Sequence, residues 1–288
     1  MDVEEPYEDE GWRTDPMRNE NRYQSIIDQA AFPAWALLRE SFKEDRKLLF
    51  PRMLLQTFWT ARRMPRSFFL RGEEKEAFAL ETTKLWSRRM VKMAKVRLVV
   101  RGLERVGLDS NYLFACNHSA TMDSVIAYMT LPVPAAFVVN QELTNVPVIK
   151  YWLETGRCVL VRQGTQEGET HAFRDMMARL RENKNLLIFP EGYIYQGSGL
   201  AEFKRGGLYS AVFTGVPIVP MCVYGAQEVM HSGSLHVIPD RKVFVEFGEP
   251  IKTQSLSRDE KKSVETLVHR RMLELKLSLA AEWRRSRG

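Results

Sequence analysis

From residue 96 onward, short apolar runs alternate with longer amphipathic stretches. The runs fall at 97–100, 112–116, 135–139, 158–161, 186–189, 218–223 and 243–247. They are short, rich in Val, Leu, Ile and Phe, and often bounded by Gly, Pro or Asn, which predicts strands. Helical spacing fills several gaps, notably 168–182 and 205–213, and returns in one final helix over 258–284. Strand and helix in alternation imply an α/β fold: a largely parallel twisted sheet covered by helices on both faces. Upstream, residues 23–95 read as helical, with Leu49, Met53, Leu54, Phe58 and Ala61 at helical spacing. Residues 1–20 are acidic and polar, the texture of a disordered tail. The chain therefore divides into a tail (1–20), a helical region (21–95) and an α/β domain (96–288). No internal repeat or low-complexity segment interrupts this plan.

Charge changes the picture of the helical region. The 288 residues carry a formal net charge of +6, a modest excess suited to an anionic partner. Between Arg46 and Arg71 lie seven basic residues and no acidic one. They are interleaved with Leu48, Phe50, Leu55, Trp59, Phe68 and Phe69. A second mixture surrounds Trp86, with Arg88, Arg89, Lys92 and Lys95. Cations among bulky apolar groups suit a lipid interface, whereas nucleic-acid binding needs basic residues on a groove-reading element. The expected partner is an anionic membrane surface and not nucleic acid; the bland alternative is a helical stripe that packs on the α/β domain. No run reaches the roughly 18 apolar residues that span a bilayer. The first ten residues are acidic, the opposite of a secretory leader. Membrane contact is therefore expected to be peripheral, on a cytoplasmic face. The three cysteines, Cys116, Cys158 and Cys222, lie in separate apolar runs. Their spacing fits neither a disulfide framework nor a zinc site, and predicts buried strand cysteines in a reducing compartment.

In parallel sheets, sites form where strands end, and the unusual polar residues fall there. Asn117-His118-Ser119-Ala120-Thr121-Met122-Asp123 follows one run. A histidine at a strand end can act as a general base near neutral pH, given a carboxylate to hold its tautomer. Asp123 would lie in the first turn of the next helix, where it could equally be a capping residue with no tie to His118. Arg162 follows a second run. Phe189-Pro190-Glu191-Gly192 follows a third, with its carboxylate in a loop bounded by Pro and Gly, or else capping the next helix. Phe203-Lys204-Arg205-Gly206-Gly207 leads into a helix, where cations and glycines could hold a phosphate or simply be surface charge. Val216-Pro217-Ile218-Val219-Pro220 is a proline-bracketed strand with an evident structural role.

The order of these pieces is more specific than any one of them. His-x4-Asp, then Arg162, then Phe-Pro-Glu-Gly, then Val-Pro-Ile-Val-Pro resembles the four-motif series of the lysophospholipid (1-acylglycerol-3-phosphate) acyltransferase family. The resemblance implies a transferase with His118 as base and Asp123 as its partner. It implies acceptor binding by Arg162, Glu191, Gly192 and Lys204, with Asn117, Val216, Pro217 and Pro220 as supporting positions. The acyl donor would be acyl-CoA or acyl-carrier protein, with no metal and no further cofactor. The acceptor would be a lyso-lipid, the sn-2 hydroxyl of 1-acylglycerol-3-phosphate in the main reading.

This chain departs from the family pattern twice. Tyr193-Ile194-Tyr195 stands where Thr-Arg-Ser is usual, and Asn140-Gln141 stands where a Lys often precedes Glu-Leu. Both changes remove cations from the implied phosphate site. They keep open a second reading, the same chemistry on another polar lyso-lipid. A third, remote reading is a non-catalytic lipid-surface protein.

Overall fold

The computed structural model describes residues 49–286 apart from 109, 232, 233 and 235. The acidic tail, the start of the helical region, and Arg46, Lys47 and Leu48 lie outside the described residues. Among those described, seven strands form one sheet: β1 (Arg97–Arg101), β2 (Leu113–Cys116), β3 (Ala135–Asn140), β4 (Val159–Val161), β5 (Asn185–Ile188), β6 (Ile218–Tyr224) and β7 (Lys242–Phe247). Their order is β1-β7-β6-β2-β5-β3-β4. All neighbours run parallel except β6 and β7. The helices of the α/β part are α4 (Thr121–Thr130), α5 (Pro147–Thr155), α6 (Gln166–Arg181), α7 (Arg205–Thr214), α8 (Arg258–Lys262) and α9 (Val264–Arg285). They are preceded by α1 (Leu49–Trp59), α2 (Met64–Ser67) and α3 (Gly72–Met93).

Both faces of the sheet are buried, which is why its strands read as continuous apolar runs. Phe114, Cys116, Leu187, Val219 and Met221 face a core shared with Met90 and Val91 of α3 and Ile126 of α4. Leu113, Ala115, Leu186, Ile188 and Ile218 face the opposite core, with Leu180 of α6, Leu208 of α7 and Met272 of α9. Alternate residues of one strand thus feed opposite cores, as the pleat requires.

Two expectations change. The single final helix is two, because the chain breaks at Ser263, whose φ of −123° is not helical and whose hydroxyl donates to Asp259 O (2.9 Å). Cys158 precedes β4 and is only half-buried, whereas Cys116 and Cys222 are buried in strands as expected. Across the 95/96 boundary, Met53, Met90, Val91 and Ala94 join the core of β2 and β6.

The apolar residues of α1 do not all turn inward. Met53 is buried, but Leu55 and Phe58 are exposed. Beyond α1, Phe68 and Phe69 are 67% and 87% exposed. The nearby cations divide as well. Arg63 donates to Thr82 Oγ1 (3.0 Å) and lies 4.7 Å from the Phe78 ring centre, so it helps seat α2 on α3. Arg62 is exposed, with its guanidinium 5.9 Å from the Trp59 ring. Among the described residues, no helix is long and apolar enough to cross a membrane.

Candidate active site

Because β2, β3, β4 and β5 run parallel, the loops that follow them leave from one edge of the sheet. Those loops begin at residues 117, 141, 162 and 189, and they hold most of the residues picked out from the sequence.

His118 and Asp123 meet here. Asp123 is the third residue of α4, where a carboxylate can fold back over the helix start. Its Oδ2 accepts from Ser119 N (2.5 Å), Ala120 N (2.6 Å) and Ser119 Oγ (3.2 Å). The same oxygen lies 3.6 Å from His118 Nδ1. Asp123 therefore fills both roles left open by its spacing, cap and histidine partner. The carboxylate is fully buried, and Oδ1 and His118 Nδ1 are buried without a hydrogen-bond partner. At 3.6 Å the two atoms face each other without a hydrogen bond. The imidazole stacks on Phe189, with ring centres 4.3 Å apart and an interplanar angle of 26°. Nδ1 is the ring nitrogen turned to Asp123.

Glu191 lies in a different place from that expected of an acceptor ligand. It is 2% exposed, and its oxygens accept from His118 N (2.7 Å) and Ala201 N (2.9 Å). Tyr195 N in turn donates to His118 O (2.7 Å). The Phe-Pro-Glu-Gly loop is thus a brace for the backbone of His118. Burial raises the Glu191 carboxyl above its ordinary range; the two N–H donors and the charges of Lys276 and His118 act against that rise.

Gly192 has φ of +76°, which favours glycine. A β-carbon there would stand 2.8 Å from Cε of Lys204, so the lysine passes across this glycine. Gln163 Nε2 donates to Gly192 O (2.9 Å), tying the β4 loop to the β5 loop. Lys204 Nζ is 4.0 Å from Glu169 Oε1, and Arg162 Nε is 3.4 Å from Gln141 Oε1, so both exposed cations have only weak partners. Gln141 is one of the residues that replaces an expected lysine. Ile194, at the usual arginine position, is 8% exposed, while Tyr193 is 40% exposed and sets its ring edge against Tyr195.

The supporting positions are structural. Asn117 Nδ2 donates to Val223 O (3.0 Å) and its Oδ1 accepts from Val223 N (2.7 Å), extending the β2–β6 pairing by a side chain. Pro217 O accepts from Leu113 N, and Val216 O from Thr253 Oγ1 (both 3.0 Å). Pro220 sits one residue before the ladder with β7 begins, where a missing N–H is tolerated. Sequence reasoning missed Phe189 as the ring under His118, although it stood in the quoted motif. It also missed Gln163, which carries no pattern.

Comparison with known proteins gives three kinds of likeness. The family model described as Acyltransferase matches residues 97–224. Proteins called 1-acyl-sn-glycerol-3-phosphate acyltransferase are similar over the same part. That of Haemophilus influenzae is 30% identical over 165 residues, 56% of this chain and 66% of that protein. That of Escherichia coli strain K12 is 28% identical over 152 residues, 52% and 60% respectively. That of Borreliella burgdorferi is 27% identical over 132 residues, 46% and 53%. The chain thus spans between half and two thirds of these relatives. The crystal structure of the 1-acyl-sn-glycerophosphate (LPA) acyltransferase PlsC from Thermotoga maritima superposes with a TM-score of 0.64 at 26% identity. That match covers 80% of this chain and 98% of that one.

Proposed function

We propose that this chain, a member of the acyltransferase family by its residues 97–224, moves a fatty acyl group from a thioester to a lipid hydroxyl. The observation that carries the proposal is the face-to-face placement of His118 Nδ1 and the buried Asp123 carboxylate at the end of β2. In this reading Nε2 of His118 takes the proton of the acceptor hydroxyl as its oxygen attacks the thioester carbonyl. Asp123 stabilises the imidazolium so formed, as a carboxylate does for a catalytic histidine. The tetrahedral intermediate then expels the thiolate, the C–S bond breaks, and the imidazolium returns its proton to sulfur. An ester and a free thiol result, and His118 is neutral again. Acyl-CoA or acyl-carrier protein supplies the thioester.

The acceptor we infer is the sn-2 hydroxyl of 1-acylglycerol-3-phosphate, giving phosphatidic acid. The names of the relatives support this choice. Arg162 and Lys204, exposed and weakly partnered on the same sheet edge, would hold the phosphate. Gly192 would leave the space in which Lys204 reaches it. Glu191 would serve the acceptor only indirectly, by seating His118. A second acceptor, another polar lyso-lipid, is favoured by one feature: Tyr193, Ile194 and Tyr195 replace the cation of the family pattern with two aromatic rings and a buried aliphatic side chain.

Phe68 and Phe69, with the exposed Leu55, Phe58 and Arg62, would dock the enzyme peripherally on an anionic bilayer. Exposed aromatics beside cations are the composition of an interfacial anchor.

The test is an acceptor screen with the purified chain, radiolabelled palmitoyl-CoA and acyl-carrier protein donors, and a panel of lyso-lipids. Acylation of 1-acylglycerol-3-phosphate above all others is expected. Faster use of a lyso-lipid with a larger head would select the second reading. No acylation of any phosphate-bearing lyso-lipid would remove the main one.

A further inference from the structure

Lys276 occupies an improbable position for a lysine. The buried stripe of α9 runs Val264, Val268, Met272, Lys276 and Leu279, and Lys276 is 6% exposed within it. A buried ammonium needs an acceptor and a nearby negative charge, or its loss of hydration goes uncompensated. Its acceptor is Gly199 O, in the loop that joins β5 to α7. Its charge also bears on Glu191, favouring the ionised form of that buried carboxyl. Two residues beyond Gly199, Ala201 N donates to Glu191 Oε2, and Glu191 Oε1 accepts from His118 N. Through the backbone from Gly199 to Ala201, the C-terminal helix is thus tied to the carboxylate that holds the backbone of the histidine.

We propose that Lys276 is a positioning residue for the acyl-transfer reaction: it pins the 192–203 loop through Gly199 and holds Glu191 as the carboxylate that fixes His118. The inference rests on the reading of His118 as general base. It acts through Glu191, and Lys276 touches no substrate. Glu191 accepts one N–H at each oxygen, and it accepts more strongly as the carboxylate. A proton taken up on either oxygen would weaken the contact made there. Burial already pushes Glu191 toward that protonated form, and Lys276 is the lysine that opposes it. The other titratable groups coupled to Glu191 are His118, Tyr193, Cys116 and Cys222. The tyrosine and cysteines are pushed further from ionisation by burial, so they offer no compensating charge.

The test uses the full chain with Lys276→Met, which puts an apolar side chain on an apolar stripe, and Lys276→Gln, which keeps a donor for Gly199 O without the charge. Each variant should keep its fold, lose about ten- to a hundredfold in kcat through misplacement of His118, and change either KM by less than about twofold. The acid limb of the kcat–pH profile should move to higher pH, and Lys276→Arg should bring it back. Carbon-13 NMR of the Glu191 carboxyl gives a reading independent of turnover: its titration should move upward in Lys276→Gln. Added to Glu191→Gln, the lysine change should cause little further loss. An unmoved carboxyl titration, or lost kcat with the acid limb in place, would overturn the inference. A moved carboxyl titration in a chain that transfers no acyl group would instead overturn the function on which the inference rests. If Lys276→Met does not fold, Lys276→Gln decides by the same readings.

Discussion

Two regions of this molecule carry charge beside aromatic rings, and they do so in opposite ways. At the sheet edge, Asp123, Glu191 and Lys276 are buried, and each has a named partner. Phe189 stacks on the histidine as packing. In the helices before the sheet, Leu55, Phe58, Phe68 and Phe69 stay in solvent, with Arg62 among them. Buried charges are expensive unless fixed, so they specify one geometry. The exposed apolar groups are less constrained, although Phe68 sets its ring edge against Tyr151, and in the proposed reading a bilayer interface covers them. In the function proposed above, the first region does chemistry at a point, and the second brings that point to a surface. Changes in one should alter rate, and changes in the other should alter location.

The largest effect is expected from Asp123→Asn. It keeps the side-chain shape but removes the carboxylate facing Nδ1, and kcat should fall by about 10²–10⁴-fold with vesicle binding intact. Stopped-flow transfer assays beside sedimentation with anionic vesicles would read both. A concurrent loss of binding would merge the two regions. Next, Phe68→Ser with Phe69→Ser should weaken vesicle binding by about ten- to a hundredfold, because burying each ring in the interface is worth on the order of 1 kcal/mol or more. Activity on detergent-dispersed substrate should be unchanged. Reversing arginines would be a poorer probe, since Arg63 also seats α2 through Thr82 and Phe78. The smallest effect is expected from Arg162→Ala. Its side chain is exposed, so about a tenfold drop in kcat/KM for the lyso-lipid acceptor is expected, at the low end of a charge-assisted contact. Equal kcat/KM for the variant would free the acceptor phosphate from Arg162.

Much of this was legible in the sequence, for identifiable reasons. All seven strands announced themselves because a sheet buried on both faces writes unbroken apolar runs, as Leu113 to Cys116 does. The spacing of His118 and Asp123 left a cap and a histidine partner both open, and only the order of the motifs pointed to them as a pair. The orientation of Glu191 was not. A Pro- and Gly-bounded loop says that a carboxylate is near the site, but not whether it faces substrate or backbone. Its partner Ala201 N is ten residues away, across a loop with no periodicity. Lys276 left a faint mark, a charged residue on the inward stripe between Met272 and Leu279, which is a violation worth noting in any amphipathic helix. The break at Ser263 was hidden because the apolar spacing runs on through it. In α1, spacing placed Phe58 with Met53, and the packing sends one inward and leaves the other exposed, since spacing fixes a face and not what covers it.

Transfer of a labelled acyl group by His118→Ala tests the central claim most directly. Measured beside the unaltered chain at matched protein fold and vesicle binding, the alanine protein should retain no more than about a hundredth of the transfer rate, as loss of a general base requires. Transfer at more than about a tenth of the normal rate would contradict a mechanism in which His118 removes the acceptor proton.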